Sequence, residues 1–329
     1  MVIQVKKAGV FIVLSLLLIV LFFSSVASGS LKFSFAQIWA ALCGRGEQLV
    51  TDVIFDLRLP RVLVALVVGM NLASAGALMQ AVMQNPLADP GIIGVSAGAS
   101  VAGVILMLAL PQYAYLVPPA AFVGAIFAAF LIYLLAWKDG FTPVRIILSG
   151  VAINALLGSL TGLVTILFSD RLQGALMWLN GSLSGKTWRH FQVLIVYSIP
   201  ALILALLCIR AANVLLLGDE KAKSLGVSVN RCRVFLSIIG AFLAGISTST
   251  VGIIGFIGLV IPHIMRMLVG SDYKSLLPFS MFSGAVLLLG ADTFARTIAS
   301  PIELPVGIVM SIFGAPFFLY LLRSSGKRK

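Results

Sequence analysis

The sequence predicts an all-α integral membrane protein with about ten transmembrane helices, built as one domain over residues 1–329. Of the 329 residues, 60% are hydrophobic and only 10% are charged, whereas a soluble domain carries about 25% charged residues. The apolar segments are long and do not alternate with polar residues, so they suit helices rather than the strands of a barrel. Helices are favoured in lipid because each one pairs its own backbone N–H and C=O groups.

Ten segments are long and apolar enough to be read as spans, since a span needs about 20 mostly apolar residues. They are 8–28, 60–82, 92–110, 114–136, 145–168, 192–210, 233–250, 253–269, 277–296 and 305–322. Two of them, 92–110 and 253–269, are short and glycine-rich, which predicts tilted or broken helices. The first follows Lys6 and Lys7 and exceeds the roughly 7–15-residue core of a signal peptide, so we interpret it as a retained span.

The charges predict the orientation. The net charge is +12, from 23 Lys and Arg against 11 Asp and Glu. Alternating the ten spans from a cytoplasmic N-terminus places fifteen basic residues inside, including Lys327-Arg328-Lys329, and eight outside, as the positive-inside rule requires. Both termini are thus expected in the cytoplasm of a bacterium, the protein crossing its cytoplasmic membrane. The basic residues are scattered at helix ends rather than forming one face with aromatics, which argues against nucleic-acid binding.

Two connecting segments are expected to contain helices. Residues 169–191 form an external segment, and residues 217–231 a cytoplasmic one that is predicted to fold as two short amphipathic helices turning at Gly226. In the second segment, Leu217, Leu225 and Val227 either offer apolar side chains to a cytoplasmic partner or pack on the protein's own underside. A faint inverted repeat relates Arg61-Val-Leu, followed by Gly69 and Gly76, to Arg233-Val-Phe, followed by Gly240 and Gly245.

The segment Gly181-Ser-Leu-Ser-Gly185-Lys186-Thr187 imitates a phosphate-binding loop. Such a loop needs four residues between its first glycine and Gly-Lys-Thr, so that successive N–H groups surround the phosphates. Here there are three, and the segment is expected outside the cell. We interpret it as a turn and expect no ATP hydrolysis by this chain. Neither a metal nor a cofactor is expected, and the three cysteines do not imply disulfides.

Two motifs at the cytoplasmic ends of spans are candidates for a translocation path or gate. The first runs from Gln80 to Pro90 and contains Gln84-Asn85-Pro86, after which Gly94 and Gly98 open the third span. It equally suits an ordinary turn in which Asn85 and Asp89 cap helix ends.

The second motif is Gly255-Phe-Ile-Gly258-Leu-Val-Ile-Pro262-His263, with Arg266 following. Its glycines let helices approach closely. A histidine within a membrane can relay protons, but no acidic residue lies near His263 in the sequence, which favours a local hydrogen bond instead.

Arg58, Arg61 and Arg296 lie at span entrances on the expected external side, against the usual charge bias. They could be snorkelling anchors. The guanidinium is a planar fork suited to carboxylates, so we favour docking of an acidic partner or ligand.

Together these segments resemble the FecCD-type permeases, the iron-complex and cobalamin permease family of ATP-binding-cassette importers. The matching segments, in the family's order, are Arg58-Leu-Pro-Arg61, Gln84-Asn-Pro-Leu-Ala-Asp-Pro90 with Gly94 and Gly98, Trp178-Leu-Asn-Gly181-Ser182, Gly218-Asp-Glu-Lys-Ala-Lys-Ser-Leu-Gly226, Gly255-Phe-Ile-Gly-Leu-Val-Ile-Pro-His263, and Glu303-Leu-Pro-Val-Gly307 with Gly314-Ala-Pro316.

The resemblance implies a dimer of permease subunits, either two copies or this chain with a relative, and a path at their interface. Two cytoplasmic ATPase subunits and an extracytoplasmic substrate-binding protein would complete the importer. Arg58, Arg61 and Arg296 would contact that binding protein. The residues implied to contact the ATPase are Gly218, Asp219, Glu220, Ala222, Leu225 and Gly226.

The expected cargo is a ferric siderophore, because residues 178–188 look more like siderophore than cobalamin permeases; haem and cobalamin are the alternatives. An ion-coupled secondary transporter is the rival class. It would need an ionisable coupling residue in mid-membrane, for which Asp292 is the candidate.

Overall fold

The structure, a computed structural model, describes residues 2–29, 31, 33–138 and 140–325. Within these ranges fifteen α-helices follow one another and no strand occurs. The tail Lys327-Arg328-Lys329, which the charge distribution assigns to the cytoplasm, lies outside the described residues.

The helices are α1 (Val2–Ala27), α2 (Phe35–Leu42), α3 (Gln48–Asp52), α4 (Leu59–Val82), α5 (Val95–Val104), α6 (Val117–Ala136), α7 (Pro143–Leu167), α8 (Leu172–Leu179), α9 (Trp188–Leu207), α10 (Ile209–Leu215), α11 (Asp219–Ser224), α12 (Val229–Val251), α13 (Ile257–Val269), α14 (Tyr273–Thr297) and α15 (Val306–Ser325). Short π-helical segments lie at Val53–Arg58 and Ile105–Ala109, and 3-10 turns at Pro90–Ile93, Pro111–Leu116 and Ser169–Arg171.

Helices long and apolar enough to cross a bilayer confirm the prediction of a helical membrane protein. Among the described residues there are seven, which contain α1, α4, α6, α7, α9, α12 and α14. Three shorter apolar helices, at Val95–Ala109, Ile257–Val269 and Val306–Tyr320, fall on the remaining predicted segments. The segment predicted as a helix at 92–110 is interrupted at Gly94, which adopts φ +79° between the 3-10 turn and α5. From Val95 the helix continues through α5 and the π-helical turn to Ala109. Ten spans in total stay a prediction.

Helix α4 is the centre of the fold, and nearly all of its residues are buried. It packs against α9, α12, α13 and α14, and glycines allow two of these crossings. A Cβ added at Gly69 would lie 2.2 Å from the carbonyl oxygen of Gly284 in α14, and one at Gly76 would lie 1.9 Å from that of Gly258 in α13. Small residues let helix backbones touch in this way where lipid supplies no hydrophobic drive for association.

The loop segments are partly as predicted. The segment at 169–191 contains α8 and the start of α9. The segment at 217–231 contains one short helix, α11, before Gly226 instead of two around it. After Gly226, which adopts φ +75°, the chain passes directly into α12 at Val229. The second helix is absent because the polar residues after the turn belong to the first turn of a long buried helix.

Residues 181–187 form a turn between α8 and α9, as predicted. Gly181 and Gly185 both adopt φ +69°, a left-handed conformation that glycine adopts readily. The Ser182 N–H donates to the Val251 carbonyl at 2.8 Å, so the turn is fastened to the end of α12. It is preceded by α8 rather than by the buried strand that a phosphate-binding loop follows.

Candidate functional site

The three arginines predicted to dock a partner converge at one end of the bundle, where α4 begins and α14 ends. All three are buried, with side chains that are engaged within the chain. Arg58 donates from Nη1 to the Val26 carbonyl at 2.6 Å and to the Ala27 carbonyl at 2.9 Å, and from Nη2 to the Leu31 carbonyl. Its guanidinium also lies 4.7 Å from the centre of the Phe33 ring. Arg58 therefore ties the chain after α1 to the entrance of α4.

Arg61 is held by two carboxylates from distant parts of the chain. Its Nε and Nη2 donate to the two oxygens of Asp292 in α14, at 3.0 and 2.9 Å. Its Nη1 donates to Glu303, in the connection between α14 and α15, at 2.8 Å. Burial alone would raise the pKa of Glu303, but the charge and hydrogen bond of Arg61 outweigh it and lower that pKa. Glu303 therefore stays ionised as a partner of Arg61.

Arg296 completes this cluster of three arginines. Its Nη2 donates to the hydroxyl of Ser25 at 2.6 Å and to the Ser25 backbone carbonyl, which fastens α14 to α1. Its Nε has no hydrogen-bond partner within the described part of the chain. The sequence interpretation assumed exposed guanidiniums and missed these contacts. The partners of Arg61 and Arg296 are more than 200 residues away, and those of Arg58 are backbone carbonyls, which no side-chain pattern reveals. Docking by the three arginines stays a prediction.

At the opposite end, α11 projects from the bundle as the predicted coupling segment. Gly218 precedes it with φ +89°, and Ala222 is completely buried, so the helix is seated on the rest of the chain. Glu220 is exposed. Leu217 and Leu225 are 49% and 63% exposed, which leaves two apolar side chains for a partner. Both readings of this segment thus hold in part, since one face packs inward and the other is free.

Asp219, the first residue of α11, is bonded to the bundle by Arg233 of α12. The guanidinium donates Nη2 to Oδ1 at 2.7 Å and Nη1 to Oδ2 at 2.8 Å. Burial would raise the pKa of Asp219, but the hydrogen bonds and charge of Arg233 outweigh it, and the pKa is lowered. Nothing in the sequence motif singled out Arg233 as a partner, although it is the residue that the faint repeat pairs with Arg61.

The segment after α4, predicted as a gate or a turn, forms a sharp turn next to α11. Gln84, Asn85 and Pro86 are exposed. Gln84 adopts φ +50°, which is uncommon for a residue with a Cβ, and its Nε2 donates to Asp219 Oδ1 at 2.8 Å. Asn85 Oδ1 accepts from the Leu87 N–H at 2.9 Å, and Asp89 Oδ1 from the Gly91 N–H at 2.8 Å. Asp89 therefore caps the 3-10 turn at Pro90–Ile93, as expected, whereas Asn85 stabilises the exposed loop and caps no helix.

Gly94 and Gly98, predicted to line a path, pack against α6. A Cβ at Gly98 would lie 2.2 Å from the Gly124 carbonyl oxygen, and one at Gly94 would lie 2.7 Å from Ile132 Cδ1. Gly258 has the same role toward α4, as described for Gly76. Gly255 is different, because a Cβ there would meet nothing within 4 Å. Within this chain, Gly255 is the member of the four that borders open space.

Gln80 connects α4 to α13. Its Oε1 accepts from Arg266 Nη2 at 3.0 Å, and its Nε2 lies 3.3 Å from the Leu259 carbonyl oxygen. Gln80 and Pro262 are buried, and His263 is half-buried beside the Pro86 carbonyl. No described residue makes a hydrogen bond with His263 Nδ1. The charged head of Arg266 thus binds an amide inside the bundle.

The fold and these two ends define a polytopic membrane transport protein, with a polar cluster at one face and a projecting helix at the other. The chain belongs to the FecCD transport family, whose family model matches residues 17–324.

The names of its relatives specify different transported substrates. The Fe(3+)-citrate import system permease protein YfmD of Bacillus subtilis is 44% identical over 91% of this chain and 87% of its own length. The hemin transport system permease protein HmuU of Yersinia pestis is 40% identical over 94% and 93%. The cobalamin import system permease protein BtuC of Halobacterium salinarum is 41% identical over 91% and 81%.

A solved structure described as an inward-facing conformation of a metal-chelate type ABC transporter is also similar. Its TM-score is 0.86 at 30% identity, covering 96% of this chain and 99% of that one.

Proposed function

We propose that this chain is the membrane-embedded permease subunit of an ATP-binding-cassette importer that carries a ferric siderophore. The observation that carries the importer class is the similarity over nearly the whole chain to import permeases for iron citrate, haem and cobalamin. Energy is supplied by partner ATPase subunits, consistent with the absence of a phosphate-binding loop in the 181–187 turn. Haem and cobalamin stay the alternative cargoes.

The projecting segment around α11 supports the ATPase partnership. Leu217 and Leu225, which flank α11, are exposed, as is Glu220 on the helix, whereas Ala222 anchors the helix to the chain. A short helix flanked by exposed apolar side chains suits a groove on a second protein. Gly226 follows the helix with a left-handed backbone and open space around it, and it turns the chain toward α12.

Helix α7 supports a second permease subunit and a path between the two. Only Ile146, Gly150 and Ile153 of its 25 residues are buried in the single chain. The exposed surface mixes leucines with hydroxyl residues, such as Ser159 and Thr161, whose hydroxyls bond back to the helix's own carbonyls. A weakly polar surface of this kind suits a wide translocation path better than contact with lipid alone.

The rival ion-coupled mechanism would use Asp292. That carboxylate is 1% exposed and already accepts two hydrogen bonds from Arg61, so its oxygens are engaged in a structural ion pair. We therefore assign Asp292 to holding α14 against α4.

The test is uptake by proteoliposomes that contain the full complex with its ATPase and binding protein. Ferric citrate, a ferric hydroxamate, haemin and cobalamin are offered in turn, with and without ATP. ATP-dependent uptake of a ferric chelate alone supports the proposal. Uptake of haemin or cobalamin alone replaces the cargo, and uptake driven by an ion gradient without ATP would refute the importer class.

A further inference from the structure

Arg233 connects the projecting helix to two other chain segments on the same side of the bundle. Its guanidinium makes the paired hydrogen bonds to Asp219 in α11 that are described above. Nη1 also donates to the Phe141 carbonyl, in the connection between α6 and α7, at 2.9 Å. Nε donates to the Val82 carbonyl, at the end of α4, at 3.3 Å. One side chain thus bonds three segments that the sequence separates widely.

The burial of this side chain makes the junction stiff. Arg233 is 1% exposed, and it is among the largest fully buried side chains of the protein. The Asp219 side chain is 35% exposed, so the buried cation reaches a carboxylate at the surface. Paired hydrogen bonds between a guanidinium and a carboxylate fix orientation as well as distance, which limits independent motion of α11 and α12.

The same carboxylate also holds the turn after α4. Gln84 donates from Nε2 both to Asp219 Oδ1 at 2.8 Å and to the Leu215 carbonyl, at the end of α10, at 3.0 Å. The backbone turn at Gln84 is closed by its own hydrogen bonds, from the Gln84 N–H to the Ala81 carbonyl and from the Asn85 N–H to the Gln80 carbonyl, both at 3.2 Å. The Gln84 side chain adds the contacts that bond this turn to the coupling segment. Any displacement of Asp219 acts on Gln84 and Arg233 together.

We propose that Arg233 is a positioning residue that transmits movement of α11 to the turn at 82–86 through the Asp219 carboxylate, with Gln84 as the second arm. This inference rests on the proposed function, since the movement originates in ATPase subunits bound at α11. Asp219 bonds to both Arg233 and Gln84. A displacement of α11 therefore moves the exposed Gln84-Asn85-Pro86 turn and is not absorbed by a flexible loop.

The experiment uses the complete importer in proteoliposomes and measures ATP hydrolysed per substrate taken up. The variants are Arg233→Lys, which keeps the charge but cannot make the fork of contacts, Gln84→Ala, and the double variant. Arg231→Gln is the matched control, because Arg231 lies two residues away on the same helix and is exposed. Co-purification of the ATPase measures assembly.

The expected result is a rise of about tenfold in ATP hydrolysed per substrate for each single variant, within the range of ordinary coupling energies, with assembly retained. Because both residues act through one carboxylate, the double variant is expected to be no worse than the worse single variant; independent effects would multiply. A purely structural role would lower assembly, hydrolysis and uptake in proportion and leave the ratio unchanged.

Three outcomes decide between the ideas. Unchanged ratios in Gln84→Ala and Arg233→Lys, or effects that multiply in the double variant, overturn the inference while leaving the importer intact. Should Arg233→Lys fail to assemble, the ratio for Gln84→Ala decides alone, since its side chain is exposed. A wild-type complex that neither binds an ATPase nor takes up any substrate refutes the proposed function instead.

Discussion

Removal of the Asp292 carboxylate tests how the arginine-containing end of the bundle is held together. Asp292→Ala leaves the buried guanidinium of Arg61 with Glu303 as its remaining carboxylate partner. Loss of one member of a buried ion pair costs about 3–5 kcal/mol, and the surviving contact with Glu303 puts the expected loss near the lower figure. Glu303→Ala is the matched control, because the Glu303 side chain is 39% exposed and exposed pairs contribute about 1 kcal/mol or less.

The assay is the free energy of unfolding in mixed micelles with increasing dodecyl sulfate, at one ionic strength for all variants. Asp292→Asn is measured alongside, since it keeps the shape but removes the charge, and it is expected to fall between Asp292→Ala and the wild type. An Asp292→Ala loss no larger than that of Glu303→Ala would refute the reasoning. Uptake per folded complex should be similar in Asp292→Asn and the wild type; selective loss of uptake would favour the rival transporter.

Three further predictions concern the helix crossing, the coupling turn and acid. Gly76→Ala is expected to destabilise the protein by about 1–3 kcal/mol through overpacking against Gly258. Gly158→Ala is the control and should leave stability unchanged, because its added Cβ has nothing within 4 Å. The melting temperatures of the two variants and the wild type provide the comparison. Gly226→Val is expected to lower substrate uptake while ATP hydrolysis is retained, because a β-branched residue does not adopt φ +75°. Gly226→Asn is the control and should be tolerated. Normal uptake in the valine variant would count against α11 as the coupling helix. Arg233 lowers the pKa of Asp219, so the stabilising contribution of this carboxylate is fully present above its ordinary pKa of about 3.9 and is lost as pH falls through the lower folded value. The difference in unfolding free energy between wild type and Asp219→Asn should therefore be constant from about pH 5 to 8 and shrink below about pH 4. A difference that already shrinks near pH 6 would contradict the pairing.

Composition and hydropathy predict the helices well because lipid imposes a length and a polarity on each span. Even the break in the helix predicted at 92–110 follows from its glycines. The ion pairs were not predictable in this way. Arg61 finds Asp292 and Glu303, and Arg233 finds Asp219, through tertiary packing that no periodicity records. The three arginines predicted to dock a partner were therefore interpreted as exposed charges, whereas the structure buries them.

In the coupling segment, the sequence predicted a helix that the structure does not contain. Its residues suggested an amphipathic pair of helices, but the turn at Gly226 feeds straight into a buried span, so the second helix has no free face to form on. The inward packing of Gly94 and Gly98 was hidden for a similar reason. Small residues serve a path and a close crossing equally well, and only the neighbouring helix decides between them.

The position of Arg61 in the chain also matters while the protein is being made. Its carboxylate partners lie 231 and 242 residues downstream. Since synthesis adds about 5–20 residues per second, the arginine waits roughly 10–50 s before either partner exists. Arg233 follows Asp219 by only 14 residues, and its partner is already present when it emerges. One end of the bundle can thus close as it is translated, whereas the other stays open until the last helices arrive.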